Sequence, residues 1–446
     1  MGIFKAYDIR GIYPEELSEE TAYKIGRAFV SFLNCKKAVV GYDARESGKK
    51  LFDALTKGII DQGADVVNIK DITTPMLFFA INKIENADSG IMITASHNPA
   101  EYNGFKLCRE KAIPLNENTG IKEIEKMVEK NDFKEPDKKG GYSEYDIGGE
   151  YEEFYNEFTK KIGLEKNNLN IIIDCGNGMG YKELPVIKKF ANVETIYENP
   201  DGSFPNHSPD TTNKENLKEI KEKIKNGNFD LGIVFDGDCD RAVFMDEKGN
   251  NIEPDIITAL ISEFILKDSK EKNEKIIYDI RSSLVVEETI RKNKGIPLIH
   301  PVGASLIKTT MRKENAVFCG EKSGHYMFRN YFYSDSALMT IFYVFKIMQK
   351  QEKSISEIIK PYKKYYSSYM NFEVSDKDKT IKKVEDEFTD YSKKMDIDGV
   401  SVYYDNYWFN IRKSNTEPVV RLTIEAKSKE ILENIKKRLN DIINEK

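Results

Sequence analysis

Apolar positions in the first third of the chain keep two rhythms in turn. From about residue 18 to 33 they recur every three or four residues, and the stretch opens on Ser18-Glu19-Glu20 and closes near Asn34-Cys35, the start and stop chemistry of an amphipathic helix. Short, nearly continuous apolar runs at 38–42 and 64–69 predict buried strands, with a helix after Ser47 and a chain break at Thr74-Pro75. Gly90-Ile91-Met92-Ile93 is another such run and leads into a loop over 94–106. Strand and helix in alternation predict a parallel sheet. A polar run from 130 to 141 has no apolar period and marks a first boundary. The same grammar returns with strands at 169–173 and 231–235, then at 275–278 and 316–318. From about residue 368 the pattern changes to antiparallel strands at 370–374, 399–404, 407–411 and 419–426, with helices near 382–394 and 429–440. The expected class is α/β: three consecutive α/β domains with mixed, mainly parallel sheets and a smaller C-terminal α+β domain, around a central cleft. The boundaries fall at 1–145, 146–250, 251–367 and 368–446.

Composition narrows the partners. The 446 residues, 40% hydrophobic, suffice for several cores. A formal charge of -6, from 68 basic and 74 acidic residues, offers no broad basic face for nucleic acid or anionic membrane and favours a small ligand. No apolar run is long enough to span a bilayer, and Met1-Gly2-Ile3-Phe4-Lys5 lacks the apolar core of a signal peptide, so a cytoplasmic location is expected. Five scattered cysteines without a Cys-x-x-Cys pair read as free thiols.

The chemistry concentrates in loops that follow predicted strands. Thr94-Ala95-Ser96-His97-Asn98-Pro99 brings a hydroxyl and an imidazole to a sheet's carboxyl edge, and Tyr102-Asn103-Gly104-Phe105-Lys106 adds an ammonium. A serine in such a turn either bonds the local backbone or stays accessible as a phosphoryl acceptor, where a lysine would stabilise the travelling charge. Asp236-Gly237-Asp238-Cys239-Asp240-Arg241 places three carboxylates at spacing two, so in extended backbone they share a side; hard oxygen ligands of this kind suit Mg²⁺. A solvated acidic turn, a glycosyltransferase and a haloacid-dehalogenase-type phosphatase are the alternatives. An EF-hand fails because Arg241 stands where its glycine is required. Asp174-Cys175-Gly176-Asn177-Gly178-Met179-Gly180 is not a dinucleotide loop, since Tyr181 replaces the last glycine of that pattern. Gly320-Glu321-Lys322-Ser323-Gly324-His325 can offer acceptor and donor groups to sugar hydroxyls, or is a glycine-flanked polar turn. Arg412-Lys413-Ser414-Asn415-Thr416 has the make-up of a phosphate cradle.

Taken together these stretches resemble the α-D-phosphohexomutases, the phosphomannomutase/phosphoglucomutase family. The resemblance implies that Ser96 carries the phosphoryl group and ligates the metal with Asp236, Asp238 and Asp240, and that Lys106, His325 and Arg10 are catalytic. It also implies substrate contacts at Tyr7, His97, Arg241, Glu321, Ser323, Arg412, Ser414, Asn415 and Thr416. Cys239 stands where the family usually has glycine. Asn199 to His207 is also family-like and reads as mainly structural.

The activity implied is reversible conversion of hexose 1-phosphate to hexose 6-phosphate through phosphoserine and a hexose 1,6-bisphosphate that reorients, with Mg²⁺ as cofactor and the bisphosphate as activator. Mannose and glucose are the expected sugars. Ala304, where many dual-specificity bacterial members have a sugar-contacting histidine, leaves their ratio open and keeps phosphoglucosamine mutase as the alternative; a Mg²⁺-dependent sugar phosphatase is a more remote one. A non-catalytic sugar-phosphate binder is the reading from outside enzymology. The expected assembly is a monomer or weak homo-oligomer.

Overall fold

The structure, a computed structural model, describes residues 2–414 and 419–444. Two compact units emerge. The first comprises Met1–Pro254, Gly303–Cys319 and Ser323–Ile358, and the second comprises Asp255–Val302, Gly320–Lys322 and Ile359–Lys446.

The first unit opens with β1 (Ile9–Ile12), α1 (Glu19–Leu33), β2 (Lys37–Tyr42), α2 (Gly48–Asp61), β3 (Asp65–Asp71), α3 (Thr74–Lys83), β4 (Ser89–Ile93) and β5 (Tyr102–Arg109). Helix α1 forms as its sequence predicts: the Ser18 hydroxyl accepts from the Thr21 N–H, and Asn34 ends the helix in the left-handed region. Strands β2, β3 and β4 are parallel neighbours, whereas β5 runs antiparallel to both β4 and β1, so the sheet is mixed. The core beneath it includes Phe29, Leu55, Val40, Ile91 and Phe105.

Two expectations are corrected here. Thr74-Pro75 does not break the chain; it starts α3, because Thr73 caps the helix through Met76 N–H and a proline is well tolerated in the first turn. Residues 102–106 are strand rather than loop, and this places Lys106 beside Met92 of β4.

A second sheet of the first unit is built from Asn170–Asp174, Asn192–Ile196 and Leu231–Phe235 in parallel, with Ala242–Met245 returning antiparallel. Tyr326–Phe328 and Ser334–Asp335 form a short antiparallel pair. In the second unit, Lys275–Asp279 and Ile296–His300 pair in parallel. The C-terminal sheet is antiparallel throughout, in the order Tyr366–Glu373, Val419–Ala426, Tyr407–Lys413, Val400–Tyr403, Lys393–Met395.

The helix expected at 382–394 lies instead at Lys377–Glu387, capped by Asp376. Its apolar face of Ile381 and Val384, with Phe388 at its end, reaches the core, and the polar residues beyond give no such face, so 393–395 pairs as a strand. All five cysteines are buried free thiols. Among the described residues no helix is long and apolar enough to cross a membrane.

Candidate active site

Strand β4 is wholly buried and delivers Ser96 at its carboxyl end with φ of 52°, a left-handed conformation that serine rarely adopts. The Ser96 N–H donates to Thr94 Oγ1 at 2.8 Å, and its hydroxyl donates to Asp236 Oδ2 at 2.9 Å. His97 Nδ1 lies 3.3 Å from the same hydroxyl. The charges of Arg241 and Arg10, with burial, hold the His97 pKa well below its usual value, so the ring is neutral.

Asp236 follows Leu231–Phe235, and the loop closes through Cys239 N–H to Asp236 O at 3.1 Å. Gly237 packs on the serine loop so closely that a Cβ there would lie 2.5 Å from Ser96 O, which only glycine permits. Cys239 is left-handed at φ of 61° and fully buried. The three carboxylates converge as their spacing predicts, each offering an oxygen within 4.8 Å of the others.

Lys106 bridges two of them, with Nζ 2.5 Å from Asp238 Oδ2 and 2.6 Å from Asp240 Oδ2. Burial opposes its charge, but the two aspartates outweigh it and raise the ammonium's pKa. Asp236 lacks that partner, and burial with the charges of Asp240 and Asp238 pushes it up to about 8. Asp238 Oδ1 is buried with no hydrogen-bond partner. Three crowded carboxylates, one with an unused buried oxygen, suit a hard divalent cation, and Mg²⁺ fits this donor set.

Arg241 Nε donates to His325 Nε2 at 3.2 Å and lies 3.5 Å from Asp236 Oδ2. His325 Nε2 is also 3.3 Å from Asp240 Oδ1, and Ser323 Oγ is 2.9 Å from its Nδ1. A bare Nε2 accepts from Arg241, while a protonated one donates to Asp240, so the two neighbours favour opposite protonation states of one nitrogen; such a nitrogen suits acid/base work. Arg10, paired with Asp8, donates to Asn98 Oδ1 at 2.7 Å. Tyr7 packs on Gly303, where a Cβ would come 2.9 Å from its ring and φ is 139°.

In the second unit, Glu321 is buried. Arg281 grips Asp279 with two bonds of 3.0 and 2.7 Å. Arg412 faces Arg421 across the C-terminal sheet and comes within 4.0 Å of Asp398 Oδ2. Burial, then the charge of Arg281, lower its pKa against the opposition of Asp398, and Arg421 adds a smaller push the same way. Ser414 N–H donates to Val419 O at 3.0 Å. Asn415 and Thr416 lie outside the described residues.

Sequence reasoning missed Asp43, Arg45, Thr74, Arg281 and Arg421. Thr74 donates its hydroxyl to Asp238 Oδ2. A signal was present for two of the missed arginines: Asp43-x-Arg45 and Asp279-x-Arg281 share the spacing of Asp8-x-Arg10, all three pair, and in the first two the aspartate also accepts from the arginine's own N–H, a turn that aspartate favours.

The α/β architecture and the strand-end acidic triad are those of a phosphohexomutase. The chain belongs to the phosphoglucomutase/phosphomannomutase family, matching its alpha/beta/alpha domains I, II and III over residues 1–135, 152–249 and 253–365 and its C-terminal domain over 370–442. It is 39% identical to a phosphomannomutase of Methanocaldococcus jannaschii, covering 99% of this chain and 97% of that protein. It is 34% identical to a phosphoglucomutase of Neisseria gonorrhoeae, covering 99% and 96%. Among solved structures it resembles a phosphoglucomutase/phosphomannomutase family protein of Burkholderia thailandensis, with a TM-score of 0.90 and 31% identity over 99% of this chain and 96% of the other.

Proposed function

We propose that the protein interconverts the 1- and 6-phosphates of mannose and glucose through phosphoserine at position 96 and a hexose 1,6-bisphosphate. The observation that carries this reading is the Ser96 hydroxyl, held in a left-handed backbone 2.9 Å from Asp236 beside the Lys106 ammonium. In the forward half-reaction the P–O bond to Ser96 breaks as one forms to the sugar hydroxyl, and the hydroxyl's proton passes to His325. After the bisphosphate turns around, the other phosphoryl returns to Ser96 and the proton goes back to the sugar oxygen. Asp236, Asp238, Asp240 and the Ser96 oxygen would hold Mg²⁺, which when bound neutralises charge on the phosphoryl oxygens. Lys106, Arg10 and Arg241 add positive charge around the phosphoryl group, and neutral His97 offers a hydrogen bond without charge. Glu321 and Ser323 would take the sugar's 3- and 4-hydroxyls, Tyr7 would line the substrate's site, and Arg412 with Ser414, Asn415 and Thr416 the phosphate not in transfer. The roles divide among residues 1–145 for the phosphoserine, 146–250 for the metal, 251–367 for the sugar and 368–446 for the distal phosphate.

The test follows 1-phosphate to 6-phosphate conversion by phosphorus NMR for mannose, glucose, glucosamine and galactose, each with a catalytic amount of the matching bisphosphate. Mannose and glucose should both turn over. Galactose inverts carbon 4 and leaves a buried partner unpaired, which costs roughly 1–3 kcal/mol. Intact mass should show one added phosphate on the wild type and none on Ser96→Ala, which should keep its fold and lose nearly all turnover. A preference for glucosamine would overturn the sugar assignment, and equal turnover by Ser96→Ala would overturn the phosphoserine.

A further inference from the structure

Arg45 is completely engaged within the first unit. It follows β2, its side chain has no exposed surface, and each of its five N–H groups has an acceptor. Nε donates to Asp43 Oδ2 at 3.2 Å. Nη1 donates to the carbonyls of Pro99 and Tyr102 at 2.6 and 2.8 Å, and Nη2 to those of Ser96 and Asn98 at 3.0 and 2.7 Å. The Phe204 ring lies 5.1 Å from the guanidinium carbon. With no donor left over, Arg45 cannot bind substrate or phosphate directly, unlike an arginine with a free edge.

What it holds is the backbone that presents the serine. Asp43 Oδ2 accepts from the Thr94 hydroxyl at 2.6 Å, and Thr94 Oγ1 in turn accepts from the Ser96 N–H. Ser96 is thus fixed at its N–H through Asp43 and Thr94 and at its carbonyl through Arg45. With both peptide planes pinned in a conformation that serine disfavours, the Cα–Cβ bond has one direction available, and Oγ lies on the Asp236 side.

We propose that Arg45, seated by Asp43, is a positioning residue that aims Ser96 for phosphoryl transfer by gathering four carbonyls of residues 96–102 onto one guanidinium. This rests on the phosphoserine reading. A lysine at this position would keep the buried charge against Asp43 but has three donors without the planar fork. The loop would then relax by fractions of an ångström while the aspartates, in a different strand-end loop, stay in place.

Arg45→Lys and Arg45→Gly are compared with wild type, with glucose 1,6-bisphosphate as phosphoryl donor and Ser96 phosphorylation read by intact mass in single turnover. Circular dichroism and Mn²⁺ binding monitor the fold and the acidic triad. Arg45→Lys should keep fold, KM and Mn²⁺ affinity within about threefold, while kcat and the phosphorylation rate fall on the order of a hundredfold, the effect of a small misplacement of a reacting group. Added guanidinium should restore part of the rate to Arg45→Gly. Phosphorylation of Arg45→Lys at the wild-type rate overturns the proposal. So does a parallel loss of fold, metal affinity and rate in both variants without guanidinium rescue, which would make Arg45 merely structural. If the wild type itself takes no phosphate on Ser96, the phosphoserine reading fails, and this outcome is distinct because wild type and variants then behave alike.

Discussion

Two charged regions, one in each unit, are built on opposite plans. Around Ser96 three aspartates crowd together with Lys106 and Arg241 as partners, and burial with the charges of Asp240 and Asp238 drives Asp236 up to about 8. Around Arg412 it is guanidiniums that crowd: burial and the charges of Arg281 and Arg421 lower the Arg412 pKa, against Asp398 at 4.0 Å. A cluster of desolvated carboxylates attracts a cation, and a cluster of desolvated guanidiniums attracts an anion. The difference teaches that burial crowds charges of opposite sign in the two regions, carboxylates in one and guanidiniums in the other.

Removing one carboxylate from the first region is the strongest way to break this contrast. Asp238→Asn takes charge from the cation site and one partner from Lys106, and activity should fall on the order of a hundredfold or more. Isothermal titration should show weakened Mg²⁺ binding in the same variant, and excess EDTA should abolish wild-type turnover. Activity that survives chelation would leave the triad a neutralised acidic turn.

The corresponding change in the second region should act on binding instead. Arg412→Gln removes a buried charge from the site proposed for the distal phosphate, and a lost hydrogen bond to a charged group is worth about 2 kcal/mol, or roughly thirtyfold in kcat/KM. The loss should appear mainly as a raised KM, with Mg²⁺ affinity unchanged. A fall in kcat alone would place Arg412 in the chemistry and erase the distinction between the regions.

How much of this was legible depended on whether the signal was local. The loops at 94–106 and 236–241 were readable because their chemistry lies within a few residues, and the spacing of Asp236, Asp238 and Asp240 survives into three converging carboxylates. Lys106 reads as a loop residue in sequence, yet it reaches the aspartates from a strand, since its place is set by antiparallel pairing with Met92 of β4 and not by its immediate neighbours. Arg45 leaves only a partial signal, its spacing from Asp43: its other acceptors are carbonyls 51 to 57 residues onward, and a carbonyl leaves no mark in the sequence. The helix placed at 382–394 erred because lysine and glutamate suit a helix at either end, and the cap at Asp376 with the buried Ile381 and Val384 decided its position.

Two histidines extend the comparison to pH. His207, in the first unit, donates from Nδ1 to Ser208 O at 2.8 Å and from Nε2 to Asp174 Oδ2 at 3.1 Å. Burial opposes its charge, but Asp174, Ser208 O and the charge of Glu219 outweigh it and raise its pKa. Its stabilising contribution is therefore complete below the unfolded value near 6.5 and is lost as pH rises through the folded value. His300, in the second unit, has its pKa lowered by burial, against weaker opposition from Pro301 O and Asp279. Its neutral form is favoured, so stability is complete above 6.5 and declines as pH falls through that value. Urea denaturation across pH 5 to 8 should show His207→Gln costing most at the acid end, and His300→Gln relieving an acid-side loss. The same pH trend in both variants would contradict the opposite environments assigned to them.

The smallest expected effect concerns Cys239, the residue set between two aspartates of the first region. Its left-handed backbone costs a side chain about 1 kcal/mol or somewhat more, and glycine would remove that cost. Glycine would also free the unfolded chain, worth about 0.4–1 kcal/mol, and delete a wholly buried thiol, worth about 1 kcal/mol more. The terms oppose one another, so Cys239→Gly should unfold within about 1 kcal/mol of wild type in urea and keep its Mg²⁺ dependence and turnover. Cys239→Val should fare worse on every measure, because a β-branched side chain is strongly disfavoured at positive φ. If Cys239→Gly instead loses more than about 2 kcal/mol or its Mg²⁺ dependence, then packing of the thiol rather than the carboxylate spacing sets the geometry of the acidic loop.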